Sequence, residues 1–209
     1  MHIPKIFEQK NIDELTKMIV SYPFATLVTT SLEGIRADHI PLYIEELTNK
    51  KIVLKGHIGK GNPLWKDVSK GSETLAIFHG PDSYISPNYY PSKKENPEVV
   101  PTWNYVAVHV KGNISFTHSS EWKLNMLNVL TNQHEKKQSE PWAVSDAPSD
   151  YTEKMLGGIV GIELEVKSIC GQWKVSQNKQ EKDTLGVING LSGSENIEMA
   201  QLVEKYKRS

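Results

Sequence analysis

The segment at residues 102–110, TWNYVAVHV, constrains the fold of this chain more than any other stretch. Side chains of a β-strand alternate between two faces. One face would carry Thr102, Asn104, Val106, Val108 and Val110, and the other Trp103, Tyr105, Ala107 and His109. Neither face has the charges of a solvated surface. One face can fill a core, so we expect the second to be covered by a ligand, a loop or another subunit.

The loop before this strand adds hydroxyl, amide and aromatic groups, including Ser86, Asn88 and Tyr89. Aromatic rings beside such groups offer stacking faces and fixed polar contacts, which a planar heteroaromatic ligand needs. The same residues fit a buried strand with a polar-tipped aromatic cluster equally well. Both interpretations stay open on these residues alone.

The composition is typical of a soluble cytoplasmic protein. A chain of 209 residues suits one domain, and a formal net charge of −1 gives no field that would draw it to nucleic acid or an anionic membrane. The single cysteine, Cys170, excludes an internal disulfide and suits a reducing compartment. No apolar stretch has the length of a signal peptide or a membrane span, so we expect no membrane contact.

Hydrophobic periodicity predicts short antiparallel strands surrounded by helices. The predicted strands are 24–30, 35–46, 51–58, 74–80, one that opens at Thr102, and the partners 158–166 and 171–177, with turns at 47–50 and 111–113. The predicted helices are 12–21, 63–69, 119–136, 151–156, 181–190 and 195–207. This order favours a mainly β fold with peripheral helices (α+β), built on a closed or partly closed antiparallel barrel. We expect one domain over 1–209, with a barrel core at about 20–178 and a C-terminal helical appendage at about 179–209.

Two histidines are predicted on outward faces of neighbouring strands. In the strand 35–46, Ile40, Leu42 and Ile44 form the core face, which leaves Ala37, His39, Pro41 and Tyr43 outside. A proline inside a strand normally marks an edge or a bulge, so we expect a distortion at Pro41. In the strand 51–58, His57 faces outward with Val53 and Lys55.

The tract GHIGKGN (56–62) is the best candidate for a phosphate site. It combines His57, Lys60, glycine amides and a helix start behind Asn62. The alternative is a strand-to-helix turn with a solvated lysine. Lys174, on the outward face of its own strand, offers a second anion contact, or is part of a solvated strand edge.

Other chemistry has weaker support. The seven histidines and one cysteine show no metal-ligand spacing, and nothing near Cys170 supplies a base. The helix–turn–helix pattern at 181–207 would present Glu195 and Glu198 to DNA, which phosphates repel. A packed helical pair is the better interpretation, and the charge does not support DNA binding.

Six motifs read together resemble one known family. They are HIP (39–41), GHxxxxNPLW (56–65), IFHGPDSYISPNYYPSK (77–93), VPTWNYVAVHVKG (100–112), Pro141-Trp142 and KVSQN (174–178). Over nearly its whole length the chain resembles the PaiB-type FMN-binding negative transcriptional regulators. The resemblance implies a split β-barrel like that of pyridoxamine-phosphate oxidases and flavin reductases, and a homodimer with flavin sites at the interface.

The resemblance also implies roles for particular residues. His57, Lys60 and Asn62 would hold the FMN phosphate, the ring would lie against His39–Pro41, and Trp103, Asn104 and Tyr105 would close the site from the partner chain. Relatives carry arginine near Lys60, and because lysine lacks the bidentate fork we expect weaker phosphate binding. The complete candidate cofactor-binding set is His39, Pro41, His57, Lys60, Asn62, Ser86, Tyr89, Trp103, Asn104, Tyr105 and Lys174.

The function that follows from this resemblance is that of a cytoplasmic, dimeric repressor of transcription that binds FMN or a similar flat anionic ligand. Its charge suggests an indirect route, through a small molecule or a partner protein. The purified protein need not retain the flavin. The alternative is a flavin-dependent oxidoreductase, and a haem-binding split barrel is a third interpretation.

Overall fold

The computed structural model describes residues 1–47 and 51–207. The strands in these residues are Glu8–Gln9 (β1), Phe24–Ser31 (β2), Gly34–Pro41 (β3), Tyr43–Glu46 (β4), Ile52–Gly59 (β5), Glu73–Ile85 (β6), Thr102–Thr117 (β7) and Ile159–Lys174 (β8). The α-helices are Ile12–Ser21 (α1), Leu64–Asp67 (α2), Ser120–Glu135 (α3), Ser149–Gly157 (α4), Glu181–Gly193 (α5) and Ile197–Tyr206 (α6). Among the described residues no helix has the length and apolar character needed to cross a membrane.

The strands form one sheet in the order β3-β2-β6-β7-β8-β5-β4, and β1 pairs with β8. The strands at the two ends of this order, β3 and β4, are consecutive in the chain and only Leu42 separates them. The two ends of the sheet therefore lie beside each other, as they do when a sheet curls into a barrel. The Leu42 amide donates to the Pro23 carbonyl (2.9 Å), so the strand is interrupted directly after Pro41, as predicted.

The chain divides into two compact units that share the three longest strands. Unit 1 comprises Met1–Leu15, His79–Val108 and the chain from Cys170 onward, and unit 2 comprises Thr16–Phe78 and His109–Ile169. Each unit has its own buried residues and is described separately below. The prediction of a single domain with a C-terminal appendage stays a prediction.

In unit 2 a helix covers the outer face of β4 and β5. Tyr43 packs with Met126 and Leu130 of α3, and Trp122 lies against them. A Cβ atom at Gly161 of β8 would stand 2.4 Å from the Trp122 ring, so only glycine lets α3 approach this closely. The outward-facing residues Tyr43 and Val53 are therefore buried, with exposed fractions of 5% and 1%. Ser119 caps α3 by accepting a hydrogen bond from the Trp122 amide (3.2 Å).

In unit 1 the helices α5 and α6 pack against each other with a buried seam. The seam contains Val187 and Leu191 of α5, and Met199 and Val203 of α6. The helix α5 begins at Glu181 and continues to Gly193, so the predicted break at 189–193 is wrong and the connection is at 194–196. The amide and the hydroxyl of Ser194 both donate hydrogen bonds to the Leu191 carbonyl in the last turn of α5. These bonds stabilise the end of a helix that the glycines at 190 and 193 had suggested would end earlier.

Two predicted turns do not exist, because the strands run through them. The chain does not reverse at 111–113, since β7 continues to Thr117, and 171–177 is not the partner of 158–166 but largely the continuation of β8. A Cβ at Gly112 would stand 2.3 Å from the Glu165 carbonyl, so this glycine serves close approach of the backbone and not a turn. The predicted helix 63–69 is only Leu64–Asp67, and the predicted turn at 47–50 lies largely outside the described residues.

Candidate functional site

The most unusual surface of unit 2 is a sheet face that carries no charged residue on β2 and β3, with Glu73, which alternates with Leu75 and Ile77 along β6, at its edge. Register places Thr26 opposite His39 and Ile77, and Val28 opposite Ala37 and Leu75, and residues directly opposite one another share a face. This uncharged face consists of Phe24, Thr26, Val28 and Thr30 of β2, Ile35, Ala37, His39 and Pro41 of β3, and Leu75 and Ile77 of β6. All ten side chains are exposed or half-buried, and Ile35 and Phe24 are 83% and 66% exposed. A face of this kind is typical of a surface that meets a ligand or another protein.

His39 is held in the middle of this face by its neighbours. Its Nδ1 forms a hydrogen bond with Thr26 Oγ1 (3.1 Å), and its ring stacks on Phe24 with centroids 6.1 Å apart. The two contacts fix the imidazole against the sheet. His39 is exposed, as the sequence predicted, and offers a flat polar ring to a planar ligand.

His57 is also on the outer side of its strand, but it is half-buried. It pairs in register with Gly161, on which Trp122 of α3 packs. Its Nδ1 is buried without a hydrogen-bond partner among the described residues, and burial lowers the pKa of the imidazole below 6.5. The neutral ring therefore keeps a polar nitrogen that is buried and has no partner among the described residues. The preceding residue, Gly56, lies against Pro41, since a Cβ there would stand 2.6 Å from the Pro41 carbonyl.

Lys60 is an exposed cation just beyond β5. Its backbone is fixed, because its amide donates to the Gly158 carbonyl (2.8 Å) and its carbonyl accepts from Trp65 Nε1 (3.0 Å). In the described part of the chain no carboxylate lies within ion-pair distance of its ammonium. The buried residue Lys123 lies nearby. Burial lowers the pKa of its ammonium most, and the charge of Lys60 lowers it further. Among the described residues, neither Lys60 nor Lys123 forms an ion pair with a carboxylate.

Lys123 itself has a structural role that the sequence did not reveal. It is 3% exposed, and its ammonium donates to the carbonyls of Leu156 (2.6 Å) and Ile159 (3.3 Å). These are carbonyls at and just beyond the end of α4, where backbone acceptors lack helical partners. Lys123 therefore ties α3 to the end of α4.

Asn62 is engaged in a polar cluster on the opposite side of β3 from His39. Its Nδ2 donates to Asp38 Oδ1 (2.7 Å), and its Oδ1 accepts from Arg36 (2.8 Å) and from the Leu64 amide (2.9 Å). Arg36 in turn binds Asp38 (2.8 Å). Asp38 and His39 are consecutive in the strand and so point to opposite faces. Asn62 thus fixes the turn that leads into α2, and its predicted phosphate contact stays a prediction.

Arg36 and Asp38 were missed by sequence reasoning, although their spacing gave a signal. An Arg-x-Asp pair on one strand places both side chains on the same face. The pKa of Arg36 is raised, first by its hydrogen bond to Asp38. Because this guanidinium is already paired, Lys60 is the more available cation.

In unit 1, Trp103 and Lys174 are in contact. The Lys174 ammonium donates to Thr102 Oγ1 (2.5 Å) and to the Trp103 carbonyl (2.7 Å), and it lies 6.0 Å from the centroid of the Tyr105 ring. Trp103 is 55% exposed and meets the ring of Tyr84, which is 48% exposed. The structure thus brings together three predicted residues, Trp103, Tyr105 and Lys174.

The other predicted residues of unit 1 are used in packing. Asn104 is 1% exposed, and its amide exchanges hydrogen bonds with Ser176 Oγ (2.9 and 3.2 Å). Ser86 caps a short turn by accepting from the Asn88 amide (3.2 Å). Tyr89 lies under α5, where Cβ atoms at Gly186 and Gly190 would stand 2.0 Å and 2.3 Å from its atoms. Their role in cofactor binding stays a prediction. Sequence reasoning could not detect the partners of Asn104 and Tyr89, because these lie about 70 to 100 residues away.

No group of three or more His, Cys, Asp and Glu side chains in the described residues is arranged to hold a metal ion. The groups present suit FMN better. The uncharged face accepts a flat ring, and Lys60 with the unpartnered His57 nitrogen suits an anionic end.

Comparison with solved structures shows the fold. The fold is similar to the flavocytochrome Anf3 of Azotobacter vinelandii, with a TM-score of 0.62 at 10% identity over 88% of this chain and 78% of that chain. It is also similar to the FAD and heme binding protein of Mycobacterium smegmatis, with a TM-score of 0.60 at 13% identity over 80% and 73% of the two chains. The predicted fold class, a split antiparallel β-barrel with peripheral helices, is confirmed.

Comparison of sequences defines the family. The chain belongs to the family described as "Putative FMN-binding domain", whose profile matches residues 1–168. It is 35% identical to Protease synthase and sporulation protein PAI 2 of Bacillus subtilis over 207 residues, which are 98% of this chain and 95% of that protein. An uncharacterized protein of Emericella nidulans is 30% identical, over 91% of this chain and 90% of its own length. The PaiB-type resemblance is confirmed, and FMN agrees with the family as the expected cofactor.

Proposed function

We propose that this protein binds FMN on the uncharged face of unit 2 and acts as a homodimer. The observation that carries the proposal is a sheet face on which β2 and β3 present eight exposed or half-buried residues without one charged side chain, in a member of a family described as FMN-binding. The flavin ring is flat and largely apolar, so it suits the surface around His39 and Pro41. A second copy of the chain would cover the remainder of the face.

The phosphate end of FMN is assigned to Lys60. Lys60 is exposed, lacks a carboxylate partner in the described residues, and lies near a second cation, Lys123. His57 adds a nitrogen that has no partner among the described residues. A dianionic phosphate would offset this local excess of positive charge. Bound FMN would supply the electron chemistry, while the protein would supply position and electrostatics.

The test is a titration of the purified protein with FMN, followed by flavin fluorescence and visible absorption. The wild-type protein is expected to bind FMN saturably. Lys60→Ala should weaken binding at least about tenfold, which corresponds to about 1.4 kcal/mol. Lys137→Ala is the matched control, since it removes another exposed lysine outside the proposed site. Equal affinity of wild type and Lys60→Ala would remove Lys60 from the site, and the absence of FMN binding by wild type would refute the proposal.

We further propose a role in negative regulation of transcription by an indirect route. The net charge is −1, and the N-terminal part of α6 carries Glu198, with Glu195 just before it. Contact with phosphates requires basic groups, so a small molecule or a partner protein is the better mediator. A promoter-binding assay at several salt concentrations tests this directly. Tight, sequence-specific binding with a steep salt dependence would contradict the indirect route.

A flavin-dependent oxidoreductase is the second candidate. It is favoured by the similarity of the fold to a flavocytochrome and to a protein that binds FAD and heme. Turnover of a reduced nicotinamide that depends on added FMN would support it. The same absorption spectra test the haem interpretation, because a saturable shift and sharpening of the Soret band relative to free haem would indicate haem binding.

A further inference from the structure

Two large aromatic side chains of unit 1 stand side by side in solvent. Trp103 of β7 and Tyr84 of β6 are 55% and 48% exposed, and their rings meet edge to face with centroids 5.9 Å apart. Burial of rings of this size is a major source of stability in soluble proteins. A pair that stays exposed on regular strands therefore has surface available for a ligand, since edge-to-face packing covers at most one face of one ring.

A lysine is fixed next to this pair. The Lys174 ammonium donates to Thr102 Oγ1 (2.5 Å) and to the Trp103 carbonyl (2.7 Å), and it lies 6.0 Å from the Tyr105 centroid. An ammonium group has three donors. Two of them hold the charge in position, and the third is left for another acceptor.

The charge of Lys174 is not balanced locally. Within the described residues it forms no ion pair, and the pKa of its ammonium is lowered first by burial and then by Lys179. Lys179 lies over the Tyr90 ring, 4.3 Å from its centroid. A cation that is partly desolvated and beside a second cation would gain from a bound anion.

We propose that Trp103, Tyr84 and Lys174 form a binding site for a small aromatic anion, such as an aromatic carboxylate. The rings provide the stacking surface, and the fixed ammonium binds the carboxylate. Trp103 and Lys174 were predicted to contact FMN, but this proposal gives them another ligand, uses none of the residues assigned to FMN on unit 2, and does not depend on FMN binding. The proposed site also explains why Trp103 of the TWNY motif is exposed while Asn104 is buried.

The experiment uses the full chain without FMN, labelled with ¹⁵N at tryptophan. The five tryptophans give five indole signals, and the signal absent in Trp103→Phe identifies Trp103. Benzoate is expected to shift the Trp103 signal saturably. Benzamide lacks the charge and cyclohexanecarboxylate lacks the aromatic ring, so each should bind at least about tenfold more weakly than benzoate.

Two variants separate the contributions of charge and ring. Lys174→Met and Tyr84→Leu should each weaken benzoate binding by about tenfold. Trp142→Phe is the matched control, because Trp142 is also exposed (47%) but lies outside the cluster. Lys174→Met also removes a hydrogen bond to Thr102, so its thermal unfolding is compared with wild type. Tyr84→Leu replaces a side chain that is 48% exposed, so it should keep the fold. If Lys174→Met unfolds, the benzoate affinity of Tyr84→Leu still tests the proposal.

Several results would overturn the proposal. These are equal affinity for benzoate and benzamide, no saturable shift of the Trp103 signal, or a benzoate response that survives in Tyr84→Leu and Lys174→Met. A Trp103 signal that depends on protein concentration without ligand, and does not respond to benzoate, would assign the cluster to protein contact instead. If Lys60→Ala loses FMN binding and keeps benzoate binding, the result supports the FMN site of unit 2 and shows that the aromatic-anion site of unit 1 is independent of it.

Discussion

His57 shows how a single side chain can couple the candidate site to pH. Burial lowers the pKa of its imidazole below its ordinary value of 6.5, and its Nδ1 has no partner among the described residues. The unfolded chain therefore takes up this proton more readily than the folded protein. The stability that neutral His57 contributes is present above pH 6.5 and is lost as the pH falls through 6.5 toward the folded pKa.

We expect the free energy of unfolding to fall between about pH 7.5 and about pH 5, and to fall less in His57→Gln. Urea unfolding at a series of pH values measures this. His134→Gln is the control, because it removes an exposed histidine from α3. If His57→Gln and wild type show parallel curves, the buried imidazole does not titrate in this range. If FMN phosphate contacts His57, added FMN should reduce the difference by stabilising the charged form.

At the same scale, residues differ in how far the sequence could predict them. Lys60 and His39 were predicted correctly as exposed polar groups, because local alternation and a turn suffice to expose them. The burial of Asn104 and Tyr89 depends on Ser176 and on the glycines of α5, which are distant in the sequence. No local pattern specifies which distant side chain will meet a polar or aromatic group, so these two residues could be assigned to a ligand as easily as to packing.

At the scale of elements, the segment around Tyr89 anchors α5. The Ser92 amide and hydroxyl donate to the Asp183 carboxylate (3.0 and 2.8 Å), and the side of α5 formed by Gly186 and Gly190 lies on Tyr89. The motif that the sequence suggested for ligand binding therefore also holds a helix. Residues 1–168 match the family profile, and the helix that this motif holds follows them.

Gly186→Ala is expected to destabilise the protein, because its Cβ would stand 2.0 Å from the Tyr89 carbonyl oxygen, a backbone atom that cannot swing away. Overpacking of this kind costs about 1–3 kcal/mol, measured by chemical unfolding. Gly193→Ala is the matched control in the same helix, since nothing lies within 4 Å of a Cβ there. It should raise stability by up to about 1 kcal/mol, because alanine favours the helix. Equal effects of the two substitutions would show that Tyr89 does not restrict α5.

The order of the helices and strands was largely predictable, but the full lengths of the longest strands, β7 and β8, were not. The helix predicted at 12–21 matches α1, because its apolar stripe is local and Asn11 Oδ1 accepts a hydrogen bond from the Asp13 amide (2.9 Å). A turn was predicted at 111–113 and a break between the strands 158–166 and 171–177, at places where polar residues follow the apolar ones and where β7 and β8 in fact continue. Exposed polar residues in the middle of a long strand look like a turn, and only pairing with distant strands shows that the chain continues.

For the whole molecule, the uncharged face is the feature that a monomer explains least well. A solvated sheet face normally alternates with charged residues, and β2 and β3 have none on this side. Stable interfaces bury about 1,200–2,000 Å² in total, and an isologous dimer reaches this with one modest patch on each copy. We therefore expect the protein to dimerise through this face and to bind FMN at its edge.

A single charge placed in the middle of the face tests this expectation. Ala37 is exposed and opposite Val28, so Ala37→Glu keeps the fold but buries a carboxylate in any dimer that uses the face. A buried unpaired charge costs several kcal/mol, so sedimentation velocity should show a dimer for wild type and a monomer for Ala37→Glu at the same concentration. Val100→Glu, at a residue that is 73% exposed in the loop before β7, is the control and should stay dimeric. A wild-type monomer, or a dimer that survives Ala37→Glu, would show that the face is not the interface. Because two subunits would enclose each flavin, Ala37→Glu should also lose FMN affinity, whereas Lys60→Ala should lose FMN affinity and keep the dimer.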